Sequence, residues 1–177
     1  LELACGMAGD LPRWRDNNYK FILGIDLVKD NIESPNGSYS RFLHQRHEFF
    51  KKQRSRKNLF YPQAIFLIGD CGLPLETGEA SKGKDGDSEM LLKMLYQGRS
   101  YEIYNYLNNY RWVGKAAQLF DTVSCQFAVH YFFKTKEYLE GFLRNVSYNL
   151  KPNGIFIATF MDGQSVHKLI NKPEKVE

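Results

Sequence analysis

The sequence predicts an α/β protein with a mostly parallel sheet and helices on both faces. Apolar, strand-like runs alternate along the chain with segments of helical spacing, which is the pattern of parallel strands joined by crossover helices. Successive runs end in turns that hold Gly, Asp or Gln, so polar groups are expected together at the carboxyl edge of the sheet. The five runs with their turns are residues 1–14, 22–33, 65–75, 120–133 and 150–160.

Five strands are expected from the apolar runs. Their short length and their content of Ile, Leu, Val and Phe favour strands that are buried on both faces of a sheet. Residue 1 already lies inside the first strand, and the fifth strand is followed only by the start of a helix, so we expect a domain that is truncated at both ends. The predicted strands are residues 1–4, 21–25, 64–69, 120–125 and 154–159.

Helices are predicted between and after these strands. The longest, at 28–52, is interrupted by the Pro-Asn-Gly turn signal at 35–37. Met and Leu at helical spacing indicate a helix at 88–97, and 134–150 is amphipathic. Two further short helices are expected at 9–16 and 165–170.

The segment between the third and fourth strands is the least regular part of the chain. Residues 76–89 are acidic and rich in Gly, and we expect a mobile loop there. The tyrosine-rich stretch 99–118 has no regular period, and the sequence assigns no element to it. We therefore interpret 1–177 as one partial domain in which 76–118 is a variable insertion.

Composition argues against a membrane span and against a metal site. No apolar run approaches the ~18 residues of a membrane span, so no membrane partner is expected. The cysteines Cys5, Cys71 and Cys125 lie far apart and form no C-x-x-C pair. This spacing favours buried, reduced thiols in an intracellular protein and predicts no metal.

The net charge of +4 is unevenly distributed. Residues 41–57 are strongly basic, with aromatic side chains interleaved. An isolated basic run is usually a solvated helix face, but this run follows an acidic position at the end of the second strand. An RNA or phosphate partner is therefore a fair hypothesis.

The turn after the first strand favours a cationic ligand. It reads A-C-G-M-A-G at 4–9, so the G-x-G-x-x-G pattern of dinucleotide sites is absent. Small residues such as Gly6 let a ligand approach the backbone closely. Carboxylates at Glu2 and Asp10 would repel a phosphate at the following helix and suit S-adenosylmethionine, which carries an ammonium and a sulfonium group and no phosphate.

Polar residues end the next three strands. Asp26 can accept hydrogen bonds from both ribose hydroxyls of a nucleoside, or it can cap the following helix. Asp70 can accept from an adenine amino group, with the Cys71 backbone at the ring edge, or it can be a simple turn residue. Gln126 needs polar partners if it is buried, and the carboxylate or sulfonium region of a donor would supply them.

An aromatic cluster follows Gln126 directly. It consists of Phe127, His130 and Tyr131. Such a cluster is more often part of a core than of a site, but its position at the end of the fourth strand favours a functional role.

Two motifs resemble the guanine-N7 methyltransferase domain of messenger-RNA capping enzymes, in particular the type found in multifunctional capping enzymes of large DNA viruses. The family's first motif reads L-D-L-G-C-G-K-G-G-D-L, and this chain has LELACGMAGDL at 1–11. The family's C-Q-F-x-x-H-Y-x-F follows a Phe-Asp pair, and this chain has FDTVSCQFAVHYFF at 120–133. The resemblance covers most of 1–165 and is weak between 76 and 118.

The resemblance implies a Rossmann-like class I methyltransferase that uses S-adenosylmethionine, releases S-adenosylhomocysteine, needs no metal and methylates N7 of the guanine cap of mRNA. Capped RNA and other capping-enzyme domains of the parent chain would be its partners, in the cytoplasm or nucleus of a host cell or in a virion. No residue would act as an acid or base, and Arg41 would contact cap phosphates. The donor would contact Glu2, Gly6, Asp10, Asp26, Asp70, Gln126 and Tyr131, and the cap guanine would be positioned by Phe127, His130 and Tyr131.

Three positions depart from the family pattern. Glu2 stands where the family has Asp, Met7 where it has a phosphate-contacting Lys, and Ala8 where it has Gly. The resemblance also implies a basic segment before the first motif and cap-binding residues after the fifth strand. We therefore expect weak or absent methyl transfer from these residues alone, and we expect Asp26→Ala to abolish donor binding with the fold intact.

Two alternatives stay open. One is another Rossmann-like enzyme, such as a nicotinamide dehydrogenase, against which the acidic residues near the first turn argue. The other is a non-catalytic RNA-binding or stimulatory module that keeps the fold. Met7, Ala8 and the basic segment at 41–57 favour this second alternative.

Overall fold

The computed structural model describes residues 1–53, 60–97 and 112–171. Within them, a five-stranded sheet has the order β3-β2-β1-β4-β5, and every neighbouring pair is parallel. The strand order reverses between β1 and β4, which is the place where ligands bind in open α/β sheets. The strands are β1 Glu2–Leu3, β2 Phe21–Asp26, β3 Gln63–Ile68, β4 Phe120–Gln126 and β5 Leu150–Thr159.

Helices cover both faces of the sheet, as predicted. The core on one face joins α1 and α3 to the sheet through Trp14, Phe42 and Phe66. The core on the other face joins α4 and α5 to the sheet through side chains such as Leu92 and Phe142. The described helices are α1 Leu11–Asp16, α2 Lys29–Glu33, α3 Ser38–Lys52, α4 Gly86–Gln97, α5 Lys136–Asn149 and α6 Gly163–Ile170.

The predicted elements are confirmed, but several of their ends differ and the 3-10 turns were not predicted. The break at 35–37 is confirmed, because α2 and α3 are separate helices. Element ends shift by a few residues: β5 begins at Leu150, and a 3-10 turn at Val129–Lys134 precedes α5. Residues 54–57 of the basic run and residues 98–111 lie outside the described part of the chain. No helix within that part is long and apolar enough to cross a membrane.

The prediction of a loop at 76–89 is wrong in part, because Glu79–Ser81 form a 3-10 turn and α4 begins at Gly86. Ala80 is fully buried, accepts a hydrogen bond from the Asp70 N–H at 2.8 Å and donates one to the Pro74 carbonyl at 3.0 Å. Ser81 is also fully buried, and its hydroxyl donates to the carbonyl of Ile68. Despite its acidic, Gly-rich composition, the segment contains two small buried residues whose hydrogen bonds connect it to the end of β3.

Candidate active site

The predicted polar residues lie along one edge of the sheet. The register pairs Asp26 with Ile68, so Asp70 comes two residues beyond the end of the neighbouring strand. Leu3 pairs with Ile25, which places the Gly6 turn beside Asp26, and the Gly6 N–H donates to Asp26 Oδ2 at 2.8 Å. β4 follows on the other side of β1 and brings Gln126 to the same edge. The edge therefore presents, in order, Asp70, Asp26, the Gly6 turn and Gln126.

The turn after β1 keeps a left-handed backbone even where it lacks glycine. Ala4, Gly6 and Ala8 have φ values of 55°, 52° and 53°. This conformation costs a non-Gly residue about 1–2 kcal/mol. Ala8 is held in it by the surrounding packing, since the residue is only 1% exposed. At Gly6 a Cβ atom would meet nothing within 4 Å. The space over Gly6 is therefore open to a ligand that approaches the backbone.

Asp26 is buried and fixed by three donors. Its Oδ1 accepts from the Val28 N–H and from Asn31 Nδ2, both at 2.9 Å, and its Oδ2 accepts from the Gly6 N–H. A carboxylate has about four acceptor sites, so the described part of the chain leaves one open, on Oδ2. Asp26 thus supports the start of α2, whose N-cap is Val28, and can still accept from one ribose hydroxyl.

Asp70 presents one free carboxylate oxygen. Its Oδ1 accepts from the Gly72 N–H at 3.0 Å and from the Tyr138 hydroxyl. Its Oδ2 accepts no hydrogen bond from the described residues. The Cys71 thiol is buried and points toward the Ile25 carbonyl at 3.9 Å, so only the Cys71 backbone can meet a ligand at the ring edge. Burial raises the pKa of this thiol far above its usual value, which makes it a core residue.

Glu2, Asp10 and Gln126 line a cavity of about 300 Å³ between α1 and the β1–β4 pair. Glu2 is 5% exposed, and burial raises its pKa to about 7, against the opposing effect of the Ser124 hydroxyl. Asp10 forms an ion pair with the exposed Arg13 at 2.5 Å, which partly neutralises the charge predicted there. Gln126 donates to Ser124 Oγ at 2.8 Å and accepts from the Thr159 hydroxyl at 2.9 Å.

The buried Glu2 carboxyl predicts a pH dependence of stability. Glu2 ionises near pH 4.5 in the unfolded chain and near pH 7 in the folded protein. Its stabilising contribution is therefore complete below pH 4.5 and is lost as the pH rises through 7. We expect Glu2→Gln to raise the free energy of unfolding at pH 8, relative to the wild type, by about 3 kcal/mol, and to have much less effect at pH 5.

Urea denaturation at the two pH values measures this difference. Glu33→Gln is the matched control, because Glu33 is exposed on α2 and, among the residues that the structure describes, pairs only with Lys29, at 3.2 Å. An effect of Glu2→Gln that does not change between pH 5 and pH 8 would contradict the expectation.

In the aromatic cluster after β4, Phe127 and Tyr131 are exposed at the same edge and His130 is half-buried. Phe127 and Tyr131 are 69% and 68% exposed, whereas the neighbouring Phe132 is 4% exposed and stacks on Phe142 at 4.0 Å. The rings of His130 and Tyr131 lie 4.2 Å apart. Phe132 therefore belongs to the core, whereas the predicted site residues Phe127, His130 and Tyr131 are not part of it.

Arg41 is the remaining predicted site residue. Arg41 lies in the first turns of α3, is partly buried, and shares no hydrogen bond or ion pair with the other predicted residues in the described chain. The sequence did not point to Asn31, Tyr138 or Thr159, which hold Asp26, Asp70 and Gln126. Asn31 lies one helical turn past Asp26 and could have been considered, but Tyr138 lies 68 residues from Asp70 and gave no local signal.

Comparison with known families decides between the interpretations that the geometry allows. The model of the mRNA (guanine-N(7))-methyltransferase domain matches residues 1–177. The chain belongs to this family. The resemblance inferred from the motifs is thereby confirmed, and members of this methyltransferase family use S-adenosylmethionine as methyl donor.

Curated relatives of the methyltransferase domain come from plants, fungi, nematodes and a virus. The chain is 30% identical to the mRNA cap guanine-N(7) methyltransferase 1 of Arabidopsis thaliana, over 100% of the chain and 36% of that protein. It is 28% identical to the mRNA cap guanine-N(7) methyltransferase of Saccharomyces cerevisiae, over 100% of the chain and 30% of that protein. It is 27% identical to a probable mRNA-capping enzyme of Acanthamoeba polyphaga mimivirus, over 99% of the chain and 13% of that protein. The chain thus spans at most about a third of these relatives.

Proposed function

We propose that the protein containing this domain transfers a methyl group from S-adenosylmethionine to N7 of the guanine cap of mRNA. The observation that carries the proposal is the row of hydrogen-bond acceptors at the carboxyl edge, in a chain of the cap methyltransferase family. Asp26 and Asp70 each keep an acceptor site on Oδ2 that the described residues leave open. Asp26 ends β2, and Asp70 lies two residues beyond the end of the neighbouring β3.

The residues at the edge fit the chemistry of this donor. Asp26 would accept from the ribose, and Asp70 would accept from the adenine amino group with the Cys71 backbone beside the ring. Open space over Gly6 would take the linker to the amino-acid end. The buried Glu2 carboxyl, with Asp10 and Gln126 around the same cavity, suits a cationic group, and Tyr131 would close over the donor. Within the described residues, no group of three or more His, Cys, Asp or Glu is placed to hold a metal ion.

The reaction needs positioning more than proton transfer. The bound donor supplies an electrophilic methyl group on a sulfonium, and guanine N7 carries a free lone pair at neutral pH. No general base is required, so we assign His130 to orientation of the guanine together with the exposed rings of Phe127 and Tyr131. Holding the two reactants in line can lower the barrier by roughly 7–11 kcal/mol.

Methyl transfer by the full-length protein tests the proposal. The substrate is RNA with an unmethylated guanosine cap, incubated with donor that is radiolabelled in the methyl group. We expect the label to be recovered as 7-methylguanosine after nuclease digestion. Label on another position, or donor binding without transfer in the full-length protein, would contradict the proposal, and the second result would support a non-catalytic module.

Helix α3 is the surface that best fits the RNA beyond the cap. On α3, Lys51 contacts Glu48 at 3.8 Å, whereas Arg41, Arg46 and Lys52 have no carboxylate partner within the described residues. On α1, α2, α4 and α5, by contrast, each Lys and Arg forms an ion pair. Those pairs are Arg13–Asp10, Arg15–Asp16, Lys29–Glu33, Lys93–Glu89, Lys136–Glu140 and Arg144–Glu76.

The direction of α3 supports an RNA path along it. Because α3 lies in the connection between the parallel strands β2 and β3, we infer that it runs back along the sheet, away from the carboxyl edge. Its 15 residues span about 22 Å, so RNA that leaves the site could contact several of its cations. Phe50, which is 37% exposed with the Arg46 guanidinium over its ring, adds a surface on which a base could stack.

Charge reversal on α3 is expected to weaken binding of capped RNA. The double variant Arg46→Glu and Lys52→Glu should lower the affinity for a capped 20-mer about tenfold and reduce the salt slope by about 1.4, because two phosphate contacts are lost. Affinity for S-adenosylhomocysteine should not change. Lys136→Glu, on the other face of the sheet, is the control, and fluorescence anisotropy at several salt concentrations is the measurement. An unchanged salt slope in the double variant would exclude this RNA path.

A further inference from the structure

The turn that carries Asp70 rests on helix α5. The fully buried Asn145 donates to the carbonyls of Cys71 and Leu73, both at 2.8 Å, and accepts from the Leu75 N–H at 3.2 Å. Gly141 lets the turn approach the helix, since a Cβ at this position would lie 2.0 Å from the Gly72 carbonyl oxygen. The turn is therefore held against a rigid element, which fixes where the Asp70 carboxylate stands.

Tyr138 of the same helix fixes how that carboxylate is oriented. Its hydroxyl donates to Asp70 Oδ1, the oxygen that also accepts from the Gly72 N–H. The ring has no freedom to follow a moving carboxylate, because it stacks on Phe132 at 5.7 Å and a Cβ on Gly72 would lie 2.1 Å from it. With Oδ1 held by two donors, the orientation of Oδ2 is set.

We propose that Tyr138 is a positioning residue that orients Asp70 to accept the 6-amino group of a purine and to reject a 6-oxo purine. This inference rests on the proposed function, since it assigns a specificity to the same donor site. A 6-oxo purine presents an acceptor at position 6 and a donor at N1. A carboxylate that could turn would accept from N1 and bind the 6-oxo base, whereas a fixed one cannot.

The chemistry of Tyr138 suits this role. Burial, together with its hydrogen bond to Asp70 and the charge of that carboxylate, raises the pKa of the phenol well above its ordinary value. Tyr138 therefore stays protonated and remains a donor at neutral pH. Its replacement by Phe removes one hydroxyl and keeps the ring that packs on Phe132 and Gly72.

The test is the affinity of the full-length protein for S-adenosylhomocysteine and for S-inosylhomocysteine, its 6-oxo analogue, measured by calorimetry. We expect the wild type to prefer the adenine compound by at least about tenfold, the effect of one hydrogen bond to a charged group. In Tyr138→Phe this preference should fall to within about threefold, mainly because the 6-oxo analogue binds better. Tyr148→Phe is the control on the same helix, since Tyr148 is 49% exposed and its hydroxyl has no partner in the described chain.

The outcomes separate this inference from the proposed function. If the wild type binds S-adenosylhomocysteine but Tyr138→Phe keeps the full preference, the role of Tyr138 is wrong and the proposed function stands. If Tyr138→Phe weakens both compounds equally, Tyr138 only supports the turn, and the inference is again overturned. If the wild type binds neither compound, the proposed function fails and the inference fails with it.

Discussion

Replacing Asp26 by Ala is expected to lower donor affinity at least about tenfold and to destabilise the protein by about 3 kcal/mol. Three donors, from Gly6, Val28 and Asn31, lose the buried carboxylate that accepts from them, and the loss of each such part-buried hydrogen bond costs about 1 kcal/mol. The sequence predicts the loss of donor binding, and these hydrogen bonds add a loss of stability to it. Because a lost charged hydrogen bond costs about 1.5–3 kcal/mol, donor affinity should fall at least about tenfold, and further if the Gly6 turn moves.

Asp26→Asn separates the two roles of this side chain. The amide keeps an oxygen for Val28 and Asn31 and loses the acceptor that faces Gly6 and the ribose. We therefore expect most of the stability to remain while donor affinity falls as in Asp26→Ala. Calorimetry with S-adenosylhomocysteine and urea denaturation measure the two quantities, and Asp30→Ala, an exposed carboxylate on α2, is the control. An Asn variant that binds the donor product as tightly as the wild type would refute the ribose role.

Replacing Gly141 by Ala is expected to be the most damaging glycine-to-alanine substitution in the described chain. The added Cβ would lie 2.0 Å from the Gly72 carbonyl oxygen and 3.0 Å from its carbon, so the turn and α5 must separate. Overpacking of this kind costs about 1–3 kcal/mol, and the separation also weakens the hydrogen bonds of Asn145. Since the displaced turn carries Asp70, donor affinity should fall together with stability.

Gly163→Ala is the matched control for this substitution. Gly163 begins α6, and a Cβ there would meet nothing within 4 Å. We expect no loss of stability, or a gain of up to about 1 kcal/mol from helix propensity. Urea denaturation with parallel titration of S-adenosylhomocysteine compares the two variants. Equal stability of the two alanine variants would show that the close contact between α5 and the turn is not required.

The sequence was informative where local pattern and topology decide the outcome. Apolar runs that end in Asp26, Asp70 and Gln126 predict parallel strands, and parallel strands bring their carboxyl ends to one edge. The edge positions therefore followed from the order of elements alone. The Gly6 turn was also predictable, because small residues after a first strand mark a close approach of the backbone.

The sequence was silent where contacts between distant segments decide the outcome. The hydrogen bond from Tyr138 to Asp70 spans 68 residues, and the one from Asn145 to Cys71 spans 74. Nothing in the local sequence distinguishes Tyr138 or Asn145 from other residues on an amphipathic helix. The burial of Ala80 was missed for a related reason, because composition averages over a segment and cannot show that one small side chain is enclosed.

The most direct test of the central claim is a crystal structure of the full-length protein with S-adenosylhomocysteine. We expect adenine beside Asp70 and the Cys71 backbone, one ribose hydroxyl on Asp26, and the amino-acid end over Gly6 toward Gln126. Density for the compound elsewhere on the protein, or no binding at saturating concentration, would contradict the claim that this edge of the sheet holds the methyl donor.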